Sequence, residues 1–308
     1  MKQKRIQQKI ICNEDHFGYL GDAKNPKYFH PKPKTLNIFP VEGDPNLLAR
    51  EVLNSDLSEV IKFRFDPVNV CNLACVFCTT DLQVRHSQIS VEYFEKILKK
   101  IYKTCHRISI GCHFEPLMTK NIHEYLNVLK KFKEEYFQQK TIITIVTNGL
   151  LLHKRNIDQF KILDWLHISV HSHNKENFEN IEKKANFDTF VSNIKHIRNK
   201  FKKLNIHFEF VANEKNKNDV EKFIPWAFDK LGIDTLNIRR VFTNSYAPRS
   251  YLDQSLKNGD IVSLKDSDWK IIENKIKKIW PDSNKSYSPG FGLDQTLKKS
   301  PFTEVIEL

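Results

Sequence analysis

Between residues 60 and 240, short runs of β-branched and aromatic residues alternate with longer segments whose apolar positions recur every three or four residues. The short runs predict six strands, at 60–66 (VIKFRFD), 107–111 (RISIG), 141–147 (TIITIVT), 165–170 (WLHISV), 206–212 (IHFEFVA) and 235–239 (TLNIR). The longer segments predict helices over 90–104, 121–138, 188–204 and 218–231, with Ser90 placed to cap the first and Gly232 to stop the last. Strands that alternate with helices give an α/β fold with a parallel sheet and right-handed crossovers, either an open doubly wound sheet or a partial barrel. Both architectures put their site at the carboxyl ends of the strands.

The flanks read differently. Residues 13–46 are proline-rich with little periodicity, and 244–259 are rich in Asn and Ser. The expected organisation is an N-terminal extension over 1–59 that covers the barrel, a core over 60–240 and a tail over 241–308. A final helix is expected at 267–279, followed by a SYSPGFG loop.

Composition narrows the setting. No window approaches the roughly 18 unbroken apolar residues of a spanning helix, and the first residues lack the apolar stretch of a signal peptide. A cytoplasmic protein without a membrane partner is expected. The net charge of +12 comes from lysines spread along amphipathic segments, which read as solvated helix faces. Only Lys2, Lys4, Arg5 and Lys9 form a cationic end free of acids. With no RNA-binding module evident, nucleic acid is not an expected partner.

The six cysteines, Cys12, Cys71, Cys75, Cys78, Cys105 and Cys112, do not form a disulfide framework. Directly after the first predicted strand, PVNVCNLACVFC over 67–78 carries a C-x3-C-x2-C spacing. Three thiolates from one loop can bind three irons of an iron-sulfur cube and leave the fourth iron open to a substrate or cofactor. A zinc site with His86 as fourth ligand fits less well, because structural zinc takes spaced pairs of ligands.

From this point the chain resembles the radical S-adenosylmethionine (radical SAM) superfamily, whose hallmark is C-x3-C-x-aromatic-C, with Phe77 as the aromatic residue. The segment IGCHFEP over 110–116 is similar to that family's GGEP element, with Cys112 in place of a glycine and two residues inserted before Glu115. VTNG over 146–149 matches its TNG element. ISVHS over 168–172 resembles "SIDG", with His171 and Ser172 replacing the acid and the glycine. NFENIEKKANFDTFVSNIKHI over 177–197 is similar to a stretch common in the branch holding peptide maturases and molybdopterin-biosynthesis enzymes.

The resemblance implies a partial (β/α)6 barrel, a [4Fe-4S] cluster on Cys71, Cys75 and Cys78, and S-adenosyl-L-methionine on the open iron. The reduced cluster cleaves that cofactor to a 5'-deoxyadenosyl radical, which abstracts hydrogen from substrate, with electrons from a donor such as flavodoxin or ferredoxin. It also implies that Glu115, Pro116 and the backbone of Gly111, Cys112, His113 and Phe114 meet the cofactor's ammonium. Phe77 is expected at the adenine and Ser169 at the ribose. Asn148 and Asn213 are further strand-end candidates, and Arg239 is a candidate for the cofactor carboxylate or an anionic substrate. Alternation sends Arg240 to the other side of its strand.

Many relatives in that branch carry cysteine-rich tails, whereas 241–308 hold no cysteine. Redox-neutral chemistry on a small carbohydrate-type molecule is therefore expected, as an epimerase, dehydratase or similar enzyme. A peptide-modifying enzyme is the alternative, and a non-catalytic iron-sulfur scaffold or redox sensor is the opposing class. Cys112 and Cys12 are candidate hydrogen-atom donors, while Cys105 reads as a small buried hydrophobe. His171 is either a luminal proton carrier or a satisfied loop histidine.

Overall fold

The computed structural model describes residues 35–41, 43–78, 85–137, 141–241 and 264–279, together with the backbone of two strands at 284–287 and 293–298. Eleven strands are present among them: β1 Thr35–Ile38, β2 Lys62–Phe65, β3 Ala74–Cys75, β4 Arg107–Ile110, β5 Ile142–Thr147, β6 Trp165–Ser169, β7 Glu182–Lys183, β8 Asn205–Ala212, β9 Thr235–Arg240, β10 Asn284–Tyr287 and β11 Leu293–Lys298. The helices are α1 Leu47–Leu53, α2 Val91–Ile101, α3 Ile122–Glu135, α4 Lys175–Ile181, α5 Phe187–Lys200, α6 Val220–Pro225 and α7 Asp266–Ile279.

The main sheet runs β1-β2-β4-β5-β6-β8-β9-β11-β10. Its first seven strands are parallel and follow chain order without reversal. A doubly wound sheet reverses its order at a switch point; this one does not, and the partial-barrel alternative holds. The six expected strands are all present. The sheet also begins one strand earlier, because β1 lies in the stretch that reads as aperiodic and pairs Leu36 with Phe63 and Ile38 with Phe65. It ends in an antiparallel hairpin, β10 and β11, that flanks the expected tail loop and pairs back onto β9.

Register explains the core. Phe63, Ile108 and Ile143 lie level, as do Phe65, Ile110, Ile145, Leu166 and Ile206, then Ile168, Phe208 and Leu236. All are fully buried, and they form one core with Phe94, Leu98, Leu126, Phe190 and Phe223 of the covering helices. Period-two alternation puts the other set on the opposite face: Arg64, Ser109, Thr144, Trp165 and Asn205 in one row, Val146, His167, His207 and Thr235 in the next, then Ser169, Glu209 and Asn237. This second face, the lumen, is polar.

Ser90 caps α2 as expected, its Oγ accepting the Tyr93 N–H at 3.4 Å. The helix expected over 218–231 is shorter. Pro225 lacks an N–H, and beyond it Trp226–Lys230 winds as a π-turn, closed by the Leu231 N–H on the Trp226 carbonyl at 3.2 Å.

Candidate active site

The cysteine loop leaves β2 at Asp66. Its base is pinned by Asn69, whose Oδ1 accepts the Ser87 N–H at 2.7 Å while Nδ2 donates to the Arg85 carbonyl at 3.1 Å. Cys71, Cys75 and Cys78 are half-buried. Leu73 N–H approaches the Cys71 Sγ at 3.4 Å, and Cys78 N–H donates to the Cys75 carbonyl at 3.0 Å. A two-residue ladder then stitches the loop to a distant segment, with Ala74 opposite Lys183 and Cys75 opposite Glu182.

Among the described residues, no three His, Cys, Asp or Glu side chains converge to hold a single ion. In a cube each thiolate takes its own iron, so three thiols of one loop need not meet at a single point. Burial pushes the Cys71 thiol up to about 12 and Cys75 well up, with Glu182 adding its charge beside the latter. Bound iron reverses that preference, because a ligating thiol is held deprotonated. The donor set therefore fits an iron-sulfur cluster. His86 is exposed.

The loop after β4 lies against this one. Gly111 has φ of +80°, and a Cβ there would stand 2.5 Å from both the Val146 carbonyl oxygen and the Pro116 Cγ, so only glycine fits. Its N–H donates to the Phe65 carbonyl at 2.8 Å. The next three amides, of Cys112, His113 and Phe114, all donate to Asp66 Oδ1, at 2.7, 3.1 and 3.2 Å. Glu115 N–H then donates to the Val70 carbonyl at 3.1 Å.

The Glu115 side chain is buried and fully engaged. Oε1 accepts the Leu117 N–H at 3.0 Å and the Thr147 hydroxyl at 2.8 Å, and Oε2 accepts the Asn148 N–H at 2.8 Å. Burial raises its pKa to about 7 against these donors. The side chain therefore clasps the end of β5. Asn148 extends the clasp to the cysteine loop, with Nδ2 2.9 Å from Asn72 Oδ1 and 3.8 Å from Cys71 Sγ.

Residues 66–227 match the Radical SAM superfamily. The chain belongs to that superfamily. It is 25% identical over 178 residues to a probable GTP 3',8-cyclase of Saccharolobus islandicus (strain Y.N.15.51 / Yellowstone #2), covering 57% of this chain and 55% of that protein. The chain thus spans about half the length of this curated relative. SuiB of Streptococcus suis, solved with S-adenosylmethionine, superposes with a TM-score of 0.54 at 15% identity over 74% of this chain and 49% of its own. HydG, a maturase of the [FeFe]-hydrogenase, superposes with a TM-score of 0.50 at 12% identity over 76% and 53%. The shared fold is the partial barrel, and this radical SAM enzyme uses a [4Fe-4S] cluster and S-adenosylmethionine. No helix among the described residues is long and apolar enough to cross a membrane.

Other expected site residues divide in two. Ser169 ends β6 on the luminal face, level with Glu209. Cys112 is half-buried in the loop after β4, and Phe77 sets its ring edge-on to His171, centroids 4.7 Å apart. Arg239 does not reach out free: it pairs with Glu209, to which Asn237 Nδ2 also donates at 3.0 Å. Arg240 takes the outer side, on Asp266 of α7. Asn213 is spent on the turn after β8, with Nδ2 on the Val211 carbonyl and Oδ1 accepting the Lys215 N–H. Cys105 is buried with its Sγ 3.2 Å from the Arg107 carbonyl, a structural thiol. Cys12 lies outside the described residues.

His171 is a satisfied histidine. Its Nδ1 accepts the Val211 N–H at 3.0 Å, which fixes the proton on Nε2, and its own N–H donates to Glu182 Oε1 at 3.1 Å. Burial and the Arg239 charge push its pKa down to about 3, so the ring stays neutral.

Two residues escaped the sequence reading. Asp66 ends the run VIKFRFD directly before the cysteine loop, and an acid at that strand end was its only signal. Glu182 lies within 177–197, ahead of the helix expected over 188–204, where nothing in the sequence marks it. Its pairing with Cys75 depends on a two-residue strand too short to leave a period.

Proposed function

We propose that this enzyme abstracts hydrogen from a small polyhydroxylated, carbohydrate-type substrate held in the barrel lumen. Cys71, Cys75 and Cys78 would hold the [4Fe-4S] cluster, which with bound S-adenosylmethionine would supply the radical chemistry. The rest falls to the chain. Glu115 and Asn148 fix the strand ends around the cysteine loop, Phe77 and Ser169 flank the cofactor's nucleoside, and the lumen excludes bulk water from a reactive radical.

The observation that carries the substrate class is the luminal row around Glu209. Burial opposes charge there, yet His207, Arg239 and Asn237 together hold the Glu209 carboxyl down to about 2, so it is an ionised acceptor. Asn237 Oδ1 beside it is buried without a hydrogen-bond partner among the described residues. Buried acceptors call for donors, and hydroxyl groups supply them. The probable GTP cyclase to which the chain is similar is named for a nucleotide, likewise a small polar molecule.

Cys112 is our hydrogen-atom donor for the product radical. Burial and the Asp66 charge push its thiol far up, so it keeps its hydrogen.

The test is an anaerobic assay with dithionite. Sugars, nucleosides, nucleotides and a peptide fraction are each added to protein with S-adenosylmethionine, and 5'-deoxyadenosine is measured. A hydroxylated metabolite should stimulate its formation, and Asn237→Leu should remove the stimulation. Stimulation by peptides alone would move the assignment to the peptide-modifying class. Absence of cofactor cleavage under every condition would favour a non-catalytic iron-sulfur protein.

A further inference from the structure

Five consecutive amides in the loop after β4 all point one way. The N–H groups of residues 111–115 donate in turn to the Phe65 carbonyl, three times to Asp66 Oδ1, and to the Val70 carbonyl. In a trans peptide, the carbonyl of one residue is antiparallel to the N–H of the next. The carbonyls of residues 110–114 are therefore turned away from β2. Those of Gly111 and Cys112 accept no hydrogen bond from the described residues.

Asp66 organises the centre of this array. It is buried, one oxygen takes three successive amides, and the other lies 3.0 Å from His113 Nδ1. Without that carboxylate, three parallel amides would lack acceptors, and nothing else among the described residues would align them.

We infer that Asp66 is a positioning residue for the cofactor's ammonium group: by gathering the amides of Cys112, His113 and Phe114, it presents the opposite edge of the loop as a row of carbonyl acceptors for a cation. This rests on the reading that the loop meets the methionine ammonium, and it adds the residue that gives the loop its polarity. A carboxylate that accepts several amides aligns their dipoles as an anion nest does, and here the anion belongs to the chain.

Asp66→Leu keeps most of the side-chain volume but removes the oxygen that takes the three amides, which Asp66→Asn would leave in place with its NH2 turned to His113 Nδ1. The variant and the unaltered protein are reconstituted anaerobically and their iron is counted. Each is then titrated calorimetrically with S-adenosylmethionine and with the analogue that carries hydrogen in place of the amino group. The variant should hold the same iron, bind S-adenosylmethionine about tenfold more weakly, and bind the desamino analogue unchanged. Equal weakening for both ligands overturns the inference, since Asp66 would then be a general prop. So does unchanged affinity for S-adenosylmethionine. Should the variant lose its iron, Asp66→Glu, which keeps the charge and displaces it by one methylene, carries the same comparison. If the unaltered protein binds both ligands equally, the ammonium does not meet this loop, and it is that underlying reading that fails.

Discussion

The carboxylate of Glu115 and the backbone N–H of Asn148 meet at 2.8 Å, joining the loop after β4 to the end of β5. Asn148 in turn reaches Asn72 and Cys71. One buried acid thus couples the loop after β4, the end of β5 and the cysteine loop.

Glu115→Gln is expected to destabilise the protein by about 1–3 kcal/mol, because a side-chain amide cannot accept all three donors and leaves one buried group unpaired. Urea unfolding of the anaerobically reconstituted protein measures the loss. Unchanged stability would mean that the clasp adds nothing.

Gly111→Ala should cost more than Gly149→Ala. Both positions have positive φ, but a Cβ at 111 meets backbone oxygen at 2.5 Å, whereas at 149 the nearest atom is Phe190 Cε2 at 3.2 Å. A side-chain ring can shift where a strand carbonyl cannot. The expected cost at 111 is at least about 3 kcal/mol, read from the same unfolding curves.

Among the cysteines, loss of function should follow position. Cys75→Ala is expected to abolish both iron uptake and cofactor cleavage, while Cys105→Ala should keep both. Cys112→Ala should still form 5'-deoxyadenosine but fail to release correct product, and the unaltered enzyme working in deuterated water should place one deuterium in the product. Normal product without deuterium would assign radical quenching elsewhere.

Acid should weaken the fold through His171. Its pKa falls from 6.5 in the unfolded chain to about 3 in the folded one, so its stabilising contribution is intact above 6.5 and is lost as pH falls towards 3. From pH 7 to 5 the loss amounts to about 2 kcal/mol. His171→Gln, which keeps an acceptor for the Val211 N–H, should flatten that slope in urea midpoints.

Most of the parallel sheet was legible because its buried faces repeat every second residue, and Phe63, Ile108 and Ile143 obey that rule in register. β1 was hidden because TLNI is flanked by prolines and too short to show alternation by itself. The cysteine loop declared itself through spacing alone. The partners that shape it did not: Asp66 gathers amides of the loop after β4, and Glu182 meets Cys75 through a two-residue ladder, and such contacts leave no period and no motif. Arg239 stayed open for a related reason: a strand-end guanidinium suits a ligand or a salt bridge equally, and only the neighbouring strand places Glu209 beside it.

The small ladder between β3 and β7 bears on how the molecule comes together. Cys75 belongs to an early part of the chain, but its partner Glu182 follows β6 and α4. During synthesis, the three thiols emerge well before the segment that pairs with Cys75. Iron taken up at that stage would meet a loop without this ladder, so a fragment ending before Lys183 is expected to capture the metal poorly even though it carries all three cysteines.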